Sequence, residues 1–182
     1  MSRPASEPDA RQAEASHSHV RVTMDQRFGD GSWATSDEVA VAAGARAIMH
    51  LLRDMDGYGG WWPGMHVRLA VHTPIGVGSE GAMAIGPVRR PAWRFRVHEI
   101  RDPEFIQFEF RGGLTGRAAW ELEPLGALTA VRFAWYGVRP VSAASRLLVR
   151  LCEVRWHHLL MRSGLLGLKT RAECGLAQRA AE

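Results

Sequence analysis

His158 is the residue with the most chemistry to offer, because of where it falls in the chain. Leu147, Leu151, Val154, His158, Met161, Leu165 and Leu168 recur at spacings of three and four, which puts them on one face of an α-helix. A lone imidazole on an apolar stripe faces a buried space. There it either exchanges a proton with a bound carbonyl, since it titrates near neutrality, or it is a buried side chain bonded to a sheet carbonyl or an indole N–H. Glu99 and Tyr136 are secondary acid–base candidates for the same wall.

A second group of residues offers surface rather than reactivity. Trp61 and Trp62 lie in a loop flanked by Gly57, Gly59, Gly60 and Gly64. They either form a mobile lid over a flat ligand or plug one end of the core. Trp93, Phe95, Phe108, Phe110, Trp120, Phe133 and Trp135 share one face of successive strands by alternation. They fill a core or line a slot for a planar or polyene ligand.

Other constellations are excluded. His66 and His72 share a strand face but stand about 20 Å apart at ~3.3 Å per residue, too far to hold one metal. Gly76-x-Gly78-x-x-Gly81 precedes a strand and lacks the helix N-terminus that would hold a pyrophosphate, so it reads as a turn. No local motif supports a Ser-His-Asp or Cys-His grouping, and Cys152 lies off the helix stripe. His17 and His19 fall in a polar segment and read as solvated. No metal and no cofactor is expected.

The elements that position these residues follow from pattern. Residues 1–34 read as a disordered polar tail, with Val20–Met24 as a candidate edge strand, and 174–182 as a C-terminal tail. Residues 35–173 read as one domain. Glu38–Ala42 alternates like a strand, and Gly44–Asp54 has helical spacing through Ala45, Ile48, Met49, Leu52 and Met55. Strands are expected over Met65–Thr73, Ser79–Ile85, Ala92–Ile100, Phe105–Arg111, Thr115–Glu123 and Thr129–Gly137, parted by Gly, Pro and Asp turns. Ser142 is the expected N-cap of a closing helix that runs to about Ala172. The fold class is α+β: a curved antiparallel sheet wrapped around one long C-terminal α-helix, with a short helix after the first strand.

Composition narrows the partners. The 182 residues carry a net charge of +4, and Lys169 is the only lysine. The arginines alternate with apolar residues along strands instead of forming a basic run. That favours a solvated mixed-charge face over nucleic-acid binding, with an acidic carrier protein or an anionic membrane surface as the sharper alternative. No apolar run reaches the roughly 20 residues that span a bilayer, and no secretory signal stands at the N-terminus. Two reduced cysteines fit a cytoplasmic protein. Abundant arginine with one lysine fits a GC-rich bacterial genome.

Several segments together resemble a known family. They are Val39-x-Val41-x-Ala43 with the helix after it; Trp61-Trp62-Pro63; Gly113-x-x-Gly116-x-x-x-Trp120-x-Leu122-x-Pro124; Thr129-x-Val131-x-Phe133-x-Trp135; and Trp156-His157-His158-x-x-Met161-x-x-Gly164-x-x-Gly167-Leu168. Their order and spacing resemble the START-like, helix-grip superfamily, and within it the bacterial polyketide cyclase/dehydrase-type SRPBCC proteins. The resemblance spans about Ser36 to Arg171. It implies a deep apolar cavity between sheet and helix that takes lipids, isoprenoids, quinones, polyketides or plant hormones, with a minority of members cyclising or aromatising polyketides. The family's helix histidine corresponds to His158. An Asn often found before it is His157 here.

The expected function is therefore burial of an apolar or aromatic small molecule against Trp61, Trp62, Trp93, Phe95, Phe108, Phe110, Trp120, Phe133, Trp135, Val154 and Met161, with His158 fixing its orientation. The alternatives are a polyketide cyclase or aromatase with His158 as its catalytic residue, and a ligand-free partner-binding module built on the Trp61-Trp62 loop and the basic face.

Overall fold

Alternation of aromatic with charged residues makes the strands, and the run of one-sided aromatics makes them curl around a helix. The computed structural model describes residues 21–27, 32–70, 74–86, 93–143 and 155–181, with side chains over 32–70, 74–86, 93–143 and 159–175. The elements are β1 (Arg21–Arg27), β2 (Trp33–Val41), α1 (Ala45–Arg53), a 3-10 turn (Met55–Gly60), β3 (Met65–Leu69), β4 (Glu80–Ile85), β5 (Trp93–Arg101), β6 (Phe105–Gly112), β7 (Leu114–Leu125), β8 (Leu128–Pro140) and α2 (Arg155–Ala181). The strands form one antiparallel sheet in the order β1-β2-β8-β7-β6-β5-β4-β3. From β3 to β8 it is a meander of consecutive neighbours. The chain's first strands then close onto its last.

The expected α+β architecture stands: a curled antiparallel sheet, a long C-terminal helix and a short helix after the strand Trp33–Val41. Register shifts curl it, one between Val97 and Glu99 on β5 and one between Thr115 and Arg117 on β7. An extra residue on one strand bends it and increases its twist. Gly116 sits in the second bulge at φ +151, where a Cβ would crowd the Val138 backbone at 2.9 Å. Only glycine combines that conformation with that approach.

Several boundaries differ from expectation. β1 falls where the candidate edge strand Val20–Met24 was placed, within a segment otherwise read as a tail, and pairs along β2; β2 begins at Trp33 rather than Glu38. Thr35 and Asp37 occupy inward positions of β2 where the pattern calls for apolar residues, so the strand shows no apolar alternation over its first half. At the other end α2 continues past Ala172 to Ala181, through residues counted as a tail. Those residues carry no stripe, but Ala, Leu, Gln, Arg and Glu are good helix formers. Leu147, Leu151 and Val154 lie outside the described residues, as do His17, His19 and Cys152.

The core is the sheet's concave face, α1 and α2. Ala45, Ile48, Met49 and Leu52 are buried along α1. Met161, Leu165, Leu168 and Ala172 are buried along α2 at helical spacing, and burying a leucine stabilises by about 1.5–3 kcal/mol. Polar contacts fix where α2 lies. The Lys169 ammonium donates to the Ala40 carbonyl (2.8 Å) and to Glu173 (2.7 Å), while Glu173 accepts the Ala42 N–H (2.8 Å). Thr129 donates to the Ala43 carbonyl at 2.7 Å and ties the β2–α1 junction to β8.

The tightest packing is at two glycines of α2. A Cβ at Gly164 would fall inside the Trp62 indole, and one at Gly167 on the Trp61 carbonyl. Gly167→Ala should destabilise the protein by about 2 kcal/mol or more, since overpacking against backbone cannot relax by a rotamer change. Thr170→Ala, at an exposed position of the same helix, should shift stability by less than about 0.5 kcal/mol. Urea unfolding of the two variants checks the difference.

Candidate functional site

The site is built where three segments meet under α2. The 3-10 turn delivers Tyr58, whose hydroxyl donates to the Leu52 carbonyl at 2.8 Å and so closes the C-terminal end of α1. The loop after it delivers Trp61 and Trp62, which stack at 5.7 Å and 27°. Trp62 donates its indole N–H to the Leu160 carbonyl at 3.1 Å. Both indoles are buried, at 6% and 3% exposure. Of the two readings for this loop, the geometry is that of a plug: the tryptophans are wedged under the helix and held by its glycines.

Behind the plug runs a chain of ring contacts. Trp62 meets Trp120 and Phe133 edge-on at 6.0 and 6.1 Å, and Trp120 and Phe133 lie 4.4 Å apart. Phe133 meets Trp135 at 5.6 Å and 89°, and Trp135 meets Phe110 at 4.9 Å. Phe110 and Phe108 continue to Phe95. Such edge-on and offset pairs are worth about 0.5–1.5 kcal/mol each beyond area burial. They also hold the rings rigidly.

The rings leave a gap. A cavity of about 110 Å³ lies between the sheet and α2, and its described lining is almost wholly apolar. Trp62, Trp93, Phe108, Phe110, Trp120, Phe133, Trp135 and Met161, all named from the sequence, line it. Trp61 and Phe95 are buried but stand behind the lining, Trp61 under Gly167 and Phe95 against Phe108. Val154 lies outside the described residues. His158 lies on the backbone of α2, three residues before Met161, and its side chain is outside them too.

The secondary acid–base candidates go elsewhere. Tyr136 follows Trp135 on β8 and so points to the opposite face, where its hydroxyl donates to Glu121 at 2.5 Å. Glu99 is paired with Arg101 at 3.1 Å and half-exposed. Neither lines the cavity. Several charges on the outer face are paired: Arg132 with Glu38 and Glu121, Arg111 with Glu109, Arg96 with Glu80.

Sequence reasoning missed part of the wall. Tyr58, Met55, Met65, Met83, Ile85, Trp33, Leu114 and Leu160 also line the cavity. Met55 was read only as the end of the α1 stripe, and Met65 and Met83 only as apolar strand residues. Tyr58 stood in a glycine-rich stretch that reads as loop. On β2, Thr35 and Asp37 are 4% and 0% exposed and lie opposite Trp135 and Phe133. Their polarity hid their inward orientation. Among the described residues no three His, Cys, Asp or Glu side chains converge on a metal position, and no helix is long and apolar enough to cross a membrane.

A family model described as polyketide cyclase / dehydrase and lipid transport matches residues 32–173. No curated protein matches the chain. Solved structures do. Protein TTHA0849 from Thermus thermophilus superposes with a TM-score of 0.61 at 15% identity, over 78% of this chain and 98% of that one. Protein Ms6760 from Mycobacterium smegmatis gives 0.58 at 13%, over 85% and 99%. The ZhuI aromatase/cyclase from Streptomyces sp. R1128 gives 0.56 at 17%, over 77% and 93%. At these identities the likeness is one of fold.

The two tyrosines of the chain report on the two faces of the sheet. Burial pushes the Tyr58 phenol far above its ordinary 10.0, against the lowering effect of its hydrogen bond with Trp120 and with some help from the charge of Asp54. Partial burial, then the bond to Glu121 and its charge, push Tyr136 up to about 12, with Arg132 opposing. In a spectrophotometric titration neither phenol should ionise at pH 10; Tyr136 should ionise near 12, and Tyr58 only as the fold is lost. Because the folded phenols titrate above the unfolded ones, their contribution is intact below about pH 10 and declines as pH rises from there toward the folded values. Phenolate absorbance from both tyrosines at pH 10, with the fold intact, would contradict the buried position of Tyr58.

Proposed function

The chain belongs to the polyketide cyclase / dehydrase and lipid transport family, and we propose that it binds a flat apolar molecule between the sheet and α2. The observation that carries this reading is the gap left by the ring chain, about 110 Å³ with an aromatic and aliphatic wall. An apolar cavity of about 150 Å³ stays dry and takes a benzene-sized guest, so a space of this size suits a single ring or one ring of a longer molecule. Transfer of the guest's apolar surface from water supplies the affinity, at about 25 cal/mol per Å². The rigid rings reduce the ordering cost of binding.

Binding is favoured over catalysis by the chemistry of the wall. Among its described residues Tyr58 alone is titratable, and its hydroxyl is already engaged with Leu52. The aromatase/cyclase named among the structural relatives keeps the alternative open that a larger polyketide reacts here, with His158 as its acid or base. The partner-docking alternative has less support, since Trp61 and Trp62 offer almost no exposed surface.

Toluene is a suitable probe. It should raise the Tm of the full chain in a concentration-dependent way, because a guest that binds only the folded state stabilises it. Trp62→Ala should cost about 3–5 kcal/mol of stability and enlarge the cavity, so that naphthalene, excluded from the unaltered protein, then binds. His158→Ala should change toluene affinity by less than about tenfold, the scale of one lost hydrogen bond. No Tm shift with toluene in either the unaltered protein or Trp62→Ala would overturn the reading. Organic extraction of the purified protein followed by mass spectrometry then identifies the natural guest's class.

A further inference from the structure

The cavity wall is of two kinds. On one side the rings hold one another. Tyr58 meets Trp62, Trp62 meets Trp120 and Phe133, and the contacts run on through Trp135 to Phe110. Hydrogen bonds to the Leu52 and Leu160 carbonyls pin Tyr58 and Trp62 as well. Moving one of these rings breaks its contacts with the others. The other side is thioether and aliphatic. Met65 on β3 stands opposite Ile85, and Met83 on β4 opposite Val67, so the two methionines are diagonal neighbours in one antiparallel pair. Met55 comes from the 3-10 turn, which packs on β3, and Met161 from α2. Four of the chain's seven methionines thus line one space of about 110 Å³, all of them buried. The two kinds of wall meet where Met83 faces Trp93 across the β4–β5 ladder.

We propose that the guest is an alkyl-substituted aromatic, its ring lying on the fixed aromatic half of the cavity and its chain entering the methionine half by displacing those side chains. This holds only if the cavity is a binding site. A methionine has no branch at Cβ, three rotatable side-chain bonds and a polarisable sulfur, so it repacks around a new shape where a ring or a β-branched residue cannot. Flexible, Met-rich surfaces accept more than one partner for the same reason. A guest larger than the gap therefore has one direction in which to grow. A chain follows that direction one methylene at a time. A second fused ring needs width that the locked rings do not yield. The aromatic half selects for flatness, and the methionine half tolerates a range of chain lengths.

Toluene, ethylbenzene, propylbenzene and butylbenzene test this, differing only in the chain. Their dissociation constants are measured for the unaltered full chain, for Met65→Ile and for Met83→Ile; isoleucine suits a strand and stiffens the wall at similar volume. In the unaltered protein each added methylene should tighten binding by about two- to fourfold, the transfer gain less the cost of repacking. In each variant the toluene-to-butylbenzene ratio of dissociation constants should fall at least about fivefold, the low end of what forcing extra methylenes against an unyielding wall costs. Toluene affinity itself should stay within about twofold, since the swap conserves volume. The Cε methyl resonances of Met65 and Met83 should move further with butylbenzene than with toluene. If toluene binds the unaltered protein and butylbenzene binds no tighter, the inference falls and the apolar cavity reading stands. The same gain with chain length in all three proteins also overturns it. Should a variant fail to fold, the methyl resonances of the unaltered protein decide, and equal movement with both probes overturns the inference. If toluene fails to bind the unaltered protein, the inference falls; if it fails with Trp62→Ala as well, the cavity reading falls with it.

Discussion

Everything in the site depends on how closely α2 approaches the Trp61-Trp62 loop. Glycine at positions 164 and 167 removes the side chains that would hold the helix off, so the Trp62 indole and the Trp61 carbonyl press against the helix backbone. The close approach brings the Trp62 N–H to the Leu160 carbonyl and places Leu160 and Met161 over the aromatic face. A helix displaced by one methyl at either glycine would lift that roof. The gap between rings would then open to solvent or collapse on different side chains. Lys169 and Glu173 perform the matching task at the other end, tying the helix to the end of β2.

The rings themselves explain why the interior is rigid and why a space survives in it. Flat side chains that meet edge-on do not fill corners as leucine or methionine would. Trp120, Phe133, Trp135 and Phe110 form such a sequence of tilted and perpendicular contacts. The space they leave is shaped by planar walls, whose atoms lack dispersion partners on the side facing the gap.

Much of this was legible in the residues. The aromatic face followed from alternation on β5 to β8, and most of the residues chosen from it and from the described part of the α2 stripe line the cavity. The short helix followed from Ala45, Ile48, Met49 and Leu52. What was not legible had polar residues where the pattern demanded apolar ones, or an apolar residue where composition suggested a loop. Thr35 and Asp37 disguised the first half of β2, Tyr58 stood among glycines, and the last turns of α2 had no stripe to declare them. Trp61 and Trp62 show a different limit. Composition and flanking glycines cannot distinguish a lid from a plug, because the distinction belongs to Gly164 and Gly167, far along the chain in a helix whose own pattern gave no hint of a partner.

That separation has a kinetic meaning. The bond from Trp62 to Leu160 spans 98 residues, and those from Lys169 to Ala40 and from Ala42 to Glu173 span 129 and 131. Contacts so distant along the chain are among the slowest to form, since each must close a long loop before it is rewarded. The meander from β3 to β8 needs only neighbouring hairpins, whereas the roof needs both ends of the chain at once. A newly made chain therefore exposes its aromatic face to water and to other chains until α2 arrives. During that interval the same rings that later line the cavity are its most adhesive surface.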